Sequence, residues 1–203
     1  FPRYGNAGEV LLTLSAGGIT VESNAVAGGV VWRWFWNGVQ FINNGDYGRE
    51  IQSDFYYPAS SDYNPTEAGD SNHRDNPVLA HGSPLFRFEN QGSTQFTRAV
   101  PLNWIAEVFG GGPDRPVIWN QMVLGKDLTL DFESMGSVAK YSTHLVLPTA
   151  TEGTFEAPVI YLRSNFNRFY TYDAESISLN EVTSQLPSGC NFSAGYIFSP
   201  HFG

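Results

Sequence analysis

Along most of the chain, apolar and polar residues alternate with a period of two. That spacing turns one side of an extended strand towards a core and the other towards water. Val10-Leu11-Leu12-Thr13-Leu14 and Ile19-Thr20-Val21-Glu22 flank Ala16-Gly17-Gly18 and predict strand, turn, strand. Val30-Val31-Trp32-Arg33-Trp34-Phe35-Trp36 then meets Val39-Gln40-Phe41-Ile42 across Asn37-Gly38. Asn-Gly accepts positive φ at both central positions, so a two-residue type I′ hairpin is expected there. Trp32, Trp34 and Trp36 share one face of that strand, and core packing is the simplest use for at least two of them. Further strands are predicted at Leu128-Thr129-Leu130-Asp131-Phe132, at residues 141–147 and 159–162, and at Phe169-Tyr170-Thr171-Tyr172. Prolines 148, 158, 187 and 200 fall between such runs, at edge or turn positions. The best helical candidate is residues 174–186, and no amphipathic helix longer than about three turns is indicated. The pattern therefore predicts an all-β fold, an antiparallel β-sandwich of supersandwich or jelly-roll type with little helix, as one domain over residues 1–203.

Two stretches break the rhythm. Residues 54–84 are rich in Asp, Asn, Ser, Pro and Tyr, and residues 108–116 carry Gly110-Gly111-Gly112-Pro113. Long irregular loops within compact domains are uncommon and are typically functional or disordered. The specific aromatics and prolines of the first favour function. The final residues, Gly195 to Gly203, read as a strand entering a turn with no polar tail, which suits a chain incomplete at its C-terminus.

Composition narrows the reading. At 203 residues the chain can bury about two thirds of its unfolded surface without a metal or disulfide staple. Eleven basic against twenty acidic residues give a net charge of −9, with no local basic cluster, a field that repels phosphate backbones and excludes a nucleic-acid role. Cys190 is the single cysteine, so no internal disulfide framework exists. No apolar run is long enough to span a membrane as a helix. The start at Phe1-Pro2 suits a mature secreted, extracellular or periplasmic protein whose leader has been removed.

The chemistry-bearing residues gather between positions 43 and 84. Asp46-Tyr47-Gly48-Arg49-Glu50-Ile51-Gln52 follows the hairpin, and Arg49 there can grip a sugar carboxylate or vicinal hydroxyls through paired N–H donors, with Gln52 nearby. A salt bridge from Arg49 to Asp46 or Asp54 is the plainer alternative. Tyr63-Asn64-Pro65-Thr66-Glu67-Ala68-Gly69-Asp70 places two carboxylates close together, and His73, Asp75 and His81 follow. Glu67 with His73 or His81 forms a candidate acid–base set, and Asp70 a substrate contact. The competing account is an ordinary loop whose Asp, Asn and Ser bond their own backbone. Tyr57 and Trp104, with Tyr56, Tyr63 and Trp119, lie in or beside irregular segments and suit stacking against sugar rings. No cofactor is indicated. Asp62, Glu67, Asp70 and Asp75 carry the oxygen donors a structural calcium needs, but their spacing matches no known calcium loop and no metal site is assigned.

Three segments in this order, Trp36 to Asn43, Asp46 to Gln52 and Asn64 to Asp70, resemble secreted bacterial proteins of the galactose-mutarotase-like supersandwich type. The resemblance covers about a fifth of the chain. It implies a carbohydrate partner and an activity among sugar epimerases, polysaccharide lyases and glycoside hydrolases. Epimerases of that type use a histidine acid and a glutamate base on a concave sheet, for which Glu67, His73, His81 and His144 are the residues available. The expectation is a carbohydrate-active enzyme, with a non-catalytic carbohydrate-binding module or a structural β-sandwich subunit as the alternatives.

Overall fold

The structure, a computed structural model, describes residues 11–44, 50–56, 64–69, 82–104, 122–164, 166, 168–173, 175–182 and 196–199. The chain divides into two compact units, Phe1–Tyr161 and Leu162–Gly203.

The first unit is built from antiparallel strands. Its first half holds β1 (Leu11–Ala16), β2 (Ile19–Asn24), β3 (Val30–Trp36), β4 (Val39–Gln40), β5 (Gln52–Tyr56) and β6 (Pro65–Thr66). Its second half holds β7 (Leu85–Gln91), β8 (Thr94–Ala99), β9 (Leu102–Asn103), β10 (Val123–Leu130), β11 (Ala139–Val146) and β12 (Thr154–Val159). These form three sheets, ordered β1-β2-β3-β4, β11-β10-β8-β7 and β12-β5-β6-β9. A bridge from Val31 to Ile51 ties the first sheet to the third. The all-β, sandwich-like architecture expected from the alternation is therefore present.

The layers are joined by polar as well as apolar contacts. The Gln95 amide on β8 donates to the Leu12 carbonyl of β1 at 3.2 Å and accepts from the Ser23 hydroxyl of β2. Asn90 on β7 donates to the Thr13 carbonyl at 2.8 Å. Around these contacts the apolar side chains fall into small groups: Ala25, Leu85 and Ala99 with Phe88; Ala27, Val30 and Ala68; and Phe55, Met122 and Leu124 with Leu145, Leu147 and Phe155.

The Asn37-Gly38 hairpin forms as expected, with φ of 47° and 82° at its two central residues. The tryptophans depart from the core expectation. Glu22 pairs with Arg33 but Ser23 pairs with Val31, so Trp32 is the extra residue of a bulge. All three tryptophans are half-buried, whereas Val21 and Ile19, which pair with Trp34 and Trp36, are buried. The Trp36 indole N–H reaches the Ser137 hydroxyl at 3.0 Å, and its ring meets Phe41 edge-on. An amphipathic ring with a polar tip is satisfied by such a half-wet position.

The stretch read as one long loop, residues 54–84, is broken by structure. Asp54 to Tyr56 complete β5, and Pro65-Thr66 forms β6, pairing with Asp54 on one side and with Leu102 and Asn103 on the other. The hairpin β7–β8 was not among the predicted strands. The outward positions of β8 alternate with buried Gln95, Thr97 and Ala99, and the polar Gln95 and Thr97 conceal the periodicity.

The second unit contains β13 (Arg168–Asp173), β14 (Ser178–Glu181) and β15 (Tyr196–Ser199), ordered β14-β13-β15. The helix expected over 174–186 is replaced in its described part by a turn and β14. The Asp173 carboxylate accepts from the Glu175 and Ser176 backbone N–H groups and the Ser176 hydroxyl, closing a turn that returns the chain to pair with β13.

Candidate functional site

Even-numbered residues of β10 face the interior, so Leu124, Leu128 and Leu130 are buried in an apolar row. Lys126 occupies the same row and is fully buried. Its ammonium donates to the Gly29 carbonyl at 2.7 Å and reaches Glu67 Oε1 at 3.3 Å. Glu67, directly after β6, is likewise fully buried, and its Oε2 accepts the Ser53 backbone N–H at 2.8 Å. Burial drives the Lys126 amine below its usual range, against the pull of the Glu67 carboxylate.

The backbone beneath this pair is packed tightly. A Cβ on Gly28 would lie 1.8 Å from the Glu67 carbonyl oxygen, and Gly28 has φ of +67°, so the turn at 28–29 tolerates no side chain there. Gln52 accepts the Ala68 N–H at 3.0 Å, Thr66 Oγ1 accepts the Gly69 N–H at 3.0 Å, and the Ser83 hydroxyl donates to the Thr66 carbonyl at 2.6 Å. The Asn-Pro-Thr-Glu-Ala-Gly segment is thus held residue by residue.

Other polar groups crowd the same interior face. Thr97 pairs across β8 with Lys126, and Tyr141 pairs across β11 with Leu128. The hydroxyls of Thr97, Tyr141 and Ser53 are buried with no hydrogen-bond partner among the described residues. Burial, then the Glu67 charge, pushes the Tyr141 phenol well above its usual range. Glu50 is fully buried nearby in sequence, ahead of β5. On the opposite face of β5, Asp54 pairs with Glu156, and burial followed by that second carboxylate raises Asp54 from 3.8 to about 7.

Of the residues expected to form a site, Glu67 and Gln52 come together in this network, Gln52 as a buried backbone clamp. Trp104 is exposed, and its backbone N–H donates to the Asn64 carbonyl at 2.9 Å, which places it at the start of the same motif. Arg49, Tyr57, Asp70, His73 and His81 lie outside the described residues, as do Asp62 and Asp75. No group of three or more His, Cys, Asp or Glu positioned to hold a metal occurs among the described residues. No described helix is long and apolar enough to cross a membrane. Lys126 and Tyr141 were not singled out from the sequence. The signal available was a lysine in an inward position of the alternation Leu124, Lys126, Leu128, Leu130.

No protein-family model, curated protein or solved structure matches the chain.

Proposed function

We propose that the chain is an exported carbohydrate-active domain, and that the interior face of β10 carries its chemistry. The observation that supports this is the concentration of excess polarity there. Two fully buried, ion-paired charges sit on a face with hydroxyls that the described structure leaves unpartnered. Buried polar groups are ordinarily satisfied, so an unsatisfied cluster calls for a ligand or a catalytic explanation. A sugar supplies the matching donors and acceptors. In this reading Glu67 takes a proton from the substrate, Lys126 balances the carboxylate, and Tyr141, kept protonated by its surroundings, donates one.

The test is turnover of a panel of neutral and uronic-acid polysaccharides, followed by reducing ends and ultraviolet-absorbing unsaturated products. Glu67→Gln is expected to lower turnover by about 100- to 10,000-fold with an unchanged far-ultraviolet dichroism spectrum. Full activity in that variant, or no turnover of any panel member by the wild type, would overturn the enzyme reading.

A second reading is favoured by a specific observation: both Glu67 oxygens are already engaged, and the side chain has no exposure. The domain then binds glycan without reacting with it, through exposed rings such as Trp104 and Tyr56, and the ion pair serves packing specificity. Lys126→Met alone would then cost about 3 to 5 kcal/mol, and Lys126→Met with Glu67→Leu would recover most of it while leaving glycan affinity intact.

A further inference from the structure

The outer face of β10 carries a second charged array, directly behind Lys126. Gly125 pairs with Arg98 on β8 and with His144 on β11. Arg98 lies across the bare Gly125 backbone, where a Cβ would come within 2.9 Å of Arg98 Cδ and 2.2 Å of the Thr97 carbonyl oxygen. From there its Nη1 donates to the Thr97 carbonyl at 2.6 Å and to the Lys126 carbonyl at 2.9 Å. Its Nη2 donates to Asp127 Oδ1 at 2.8 Å, and the other oxygen of Asp127 meets His144 Nε2 at 3.0 Å. One guanidinium thus grips the backbone of the two residues, Lys126 and Thr97, whose side chains face each other on the interior side.

We propose that Arg98 is a positioning residue for Lys126, and that Asp127 and His144 make this positioning respond to pH. The proposal takes from the functional reading only that Lys126 is a working group. Asp127 has one carboxylate to divide between two partners. Burial alone would raise the Asp127 carboxyl, but Arg98 and then His144 outweigh it and hold it below the usual carboxylate range, so a carboxylate stands between a guanidinium and an imidazole. A protonated His144 draws Asp127 towards β11. A neutral one leaves Asp127 to Arg98, whose hold on the Lys126 and Thr97 carbonyls then tightens. Among the described residues, the other charged groups of this outer face are Lys140 on β11, which sits over the Phe132 ring, and Arg87 and Glu89 on β7, which pair with each other, Arg87 also sitting over the Phe96 ring. Each has a partner of its own. His144 is partly exposed, so protons reach it directly.

The chain has two lysines, Lys126 and Lys140, so a protein labelled with ¹³C-lysine gives two resolvable ε-methylene signals. Titrated from pH 5 to 8, the Lys126 signal is expected to shift with the same midpoint as the His144 ring proton, and to lose that inflection in His144→Gln. Arg98→Lys is expected to restore part of the Lys126 shift range that Arg98→Met abolishes. A flat Lys126 signal in the wild type, or an inflection that persists in His144→Gln, would overturn the proposal. The coincidence of the two wild-type midpoints is read without any variant, so a variant that fails to fold does not remove the test. Absence of polysaccharide turnover would count against the functional reading and leave this coupling standing.

Discussion

At the scale of single residues, the chain places charge where a β-sandwich core normally excludes it. A lysine inside an apolar row is tolerated because Glu67 and the Gly29 carbonyl meet it, and Glu67 because a backbone N–H and that lysine meet it. Asp54 is treated less kindly. It stands opposite Glu156 in the β5–β12 ladder, and the folded state holds its proton up to about pH 7, whereas the unfolded chain releases it near 3.8. The folded state therefore binds more protons between those values, and stability falls as pH rises through that window. Asp54→Asn is expected to match the wild type near pH 4 and to exceed it at pH 8 by about 1 to 2 kcal/mol, partial exposure reducing the desolvated limit of about 4 kcal/mol. Urea unfolding at a series of pH values checks this, and an equal pH slope in the two proteins would contradict it. Glu67 was legible as a candidate because it follows Asn64-Pro65-Thr66 in a polar stretch. Its partner Lys126 lies 59 positions on in sequence, and no local pattern joins them.

At the scale of elements, alternation located β1 to β4, the end of β10, β11, β13 and β15, and Asn37-Gly38 announced its own turn. The strand expected over 128–132 instead ends at Leu130, where Asp131 at φ 51° leads into a 3-10 turn. β8 escaped because two of its inward positions are polar. Gln95 and Thr97 on β8 are fully buried, and a period-two pattern written in Gln and Thr looks like a loop. Gln95 explains why such residues are kept. It links β8 to β1 and β2 through the Leu12 carbonyl and the Ser23 hydroxyl. Gln95→Ala is expected to cost about 2 to 3 kcal/mol, because it opens a gap and leaves two buried polar groups without their partner. Denaturant midpoints measure this. A loss under about 0.5 kcal/mol would show that water replaces the amide fully. The helical reading of residues 174–186 failed because the Asp173 turn and pairing to β13 compete successfully with a marginal helix.

At the scale of the whole molecule, charge is the property that needs no fold. A net charge of −9 on 203 residues makes self-repulsion and exclusion from polyanions properties of the chain itself. The protein is expected to pass through heparin and duplex-DNA columns unretained at low salt, and to melt at a higher temperature in 0.3 M than in about 0.01 M sodium chloride as repulsion is screened. Retention on either column, or a falling melting temperature, would show that a local basic surface or surface ion pairs dominate instead. Alternation of side chains, the Asn-Gly turn and the proline punctuation determined the all-β class from the sequence alone, because each depends on the chemistry of neighbouring residues. The polar segment at residues 64–69 was likewise marked by its composition. Only the tertiary structure decided that this segment contributes a strand and that Glu67 meets Lys126 in a dry interior. It alone placed Arg98, on the opposite face of β10, in hydrogen bond with the Lys126 carbonyl. Those relations join residues far apart in the chain, and their energies come from desolvation and backbone approach, which exist only once the sheets have packed.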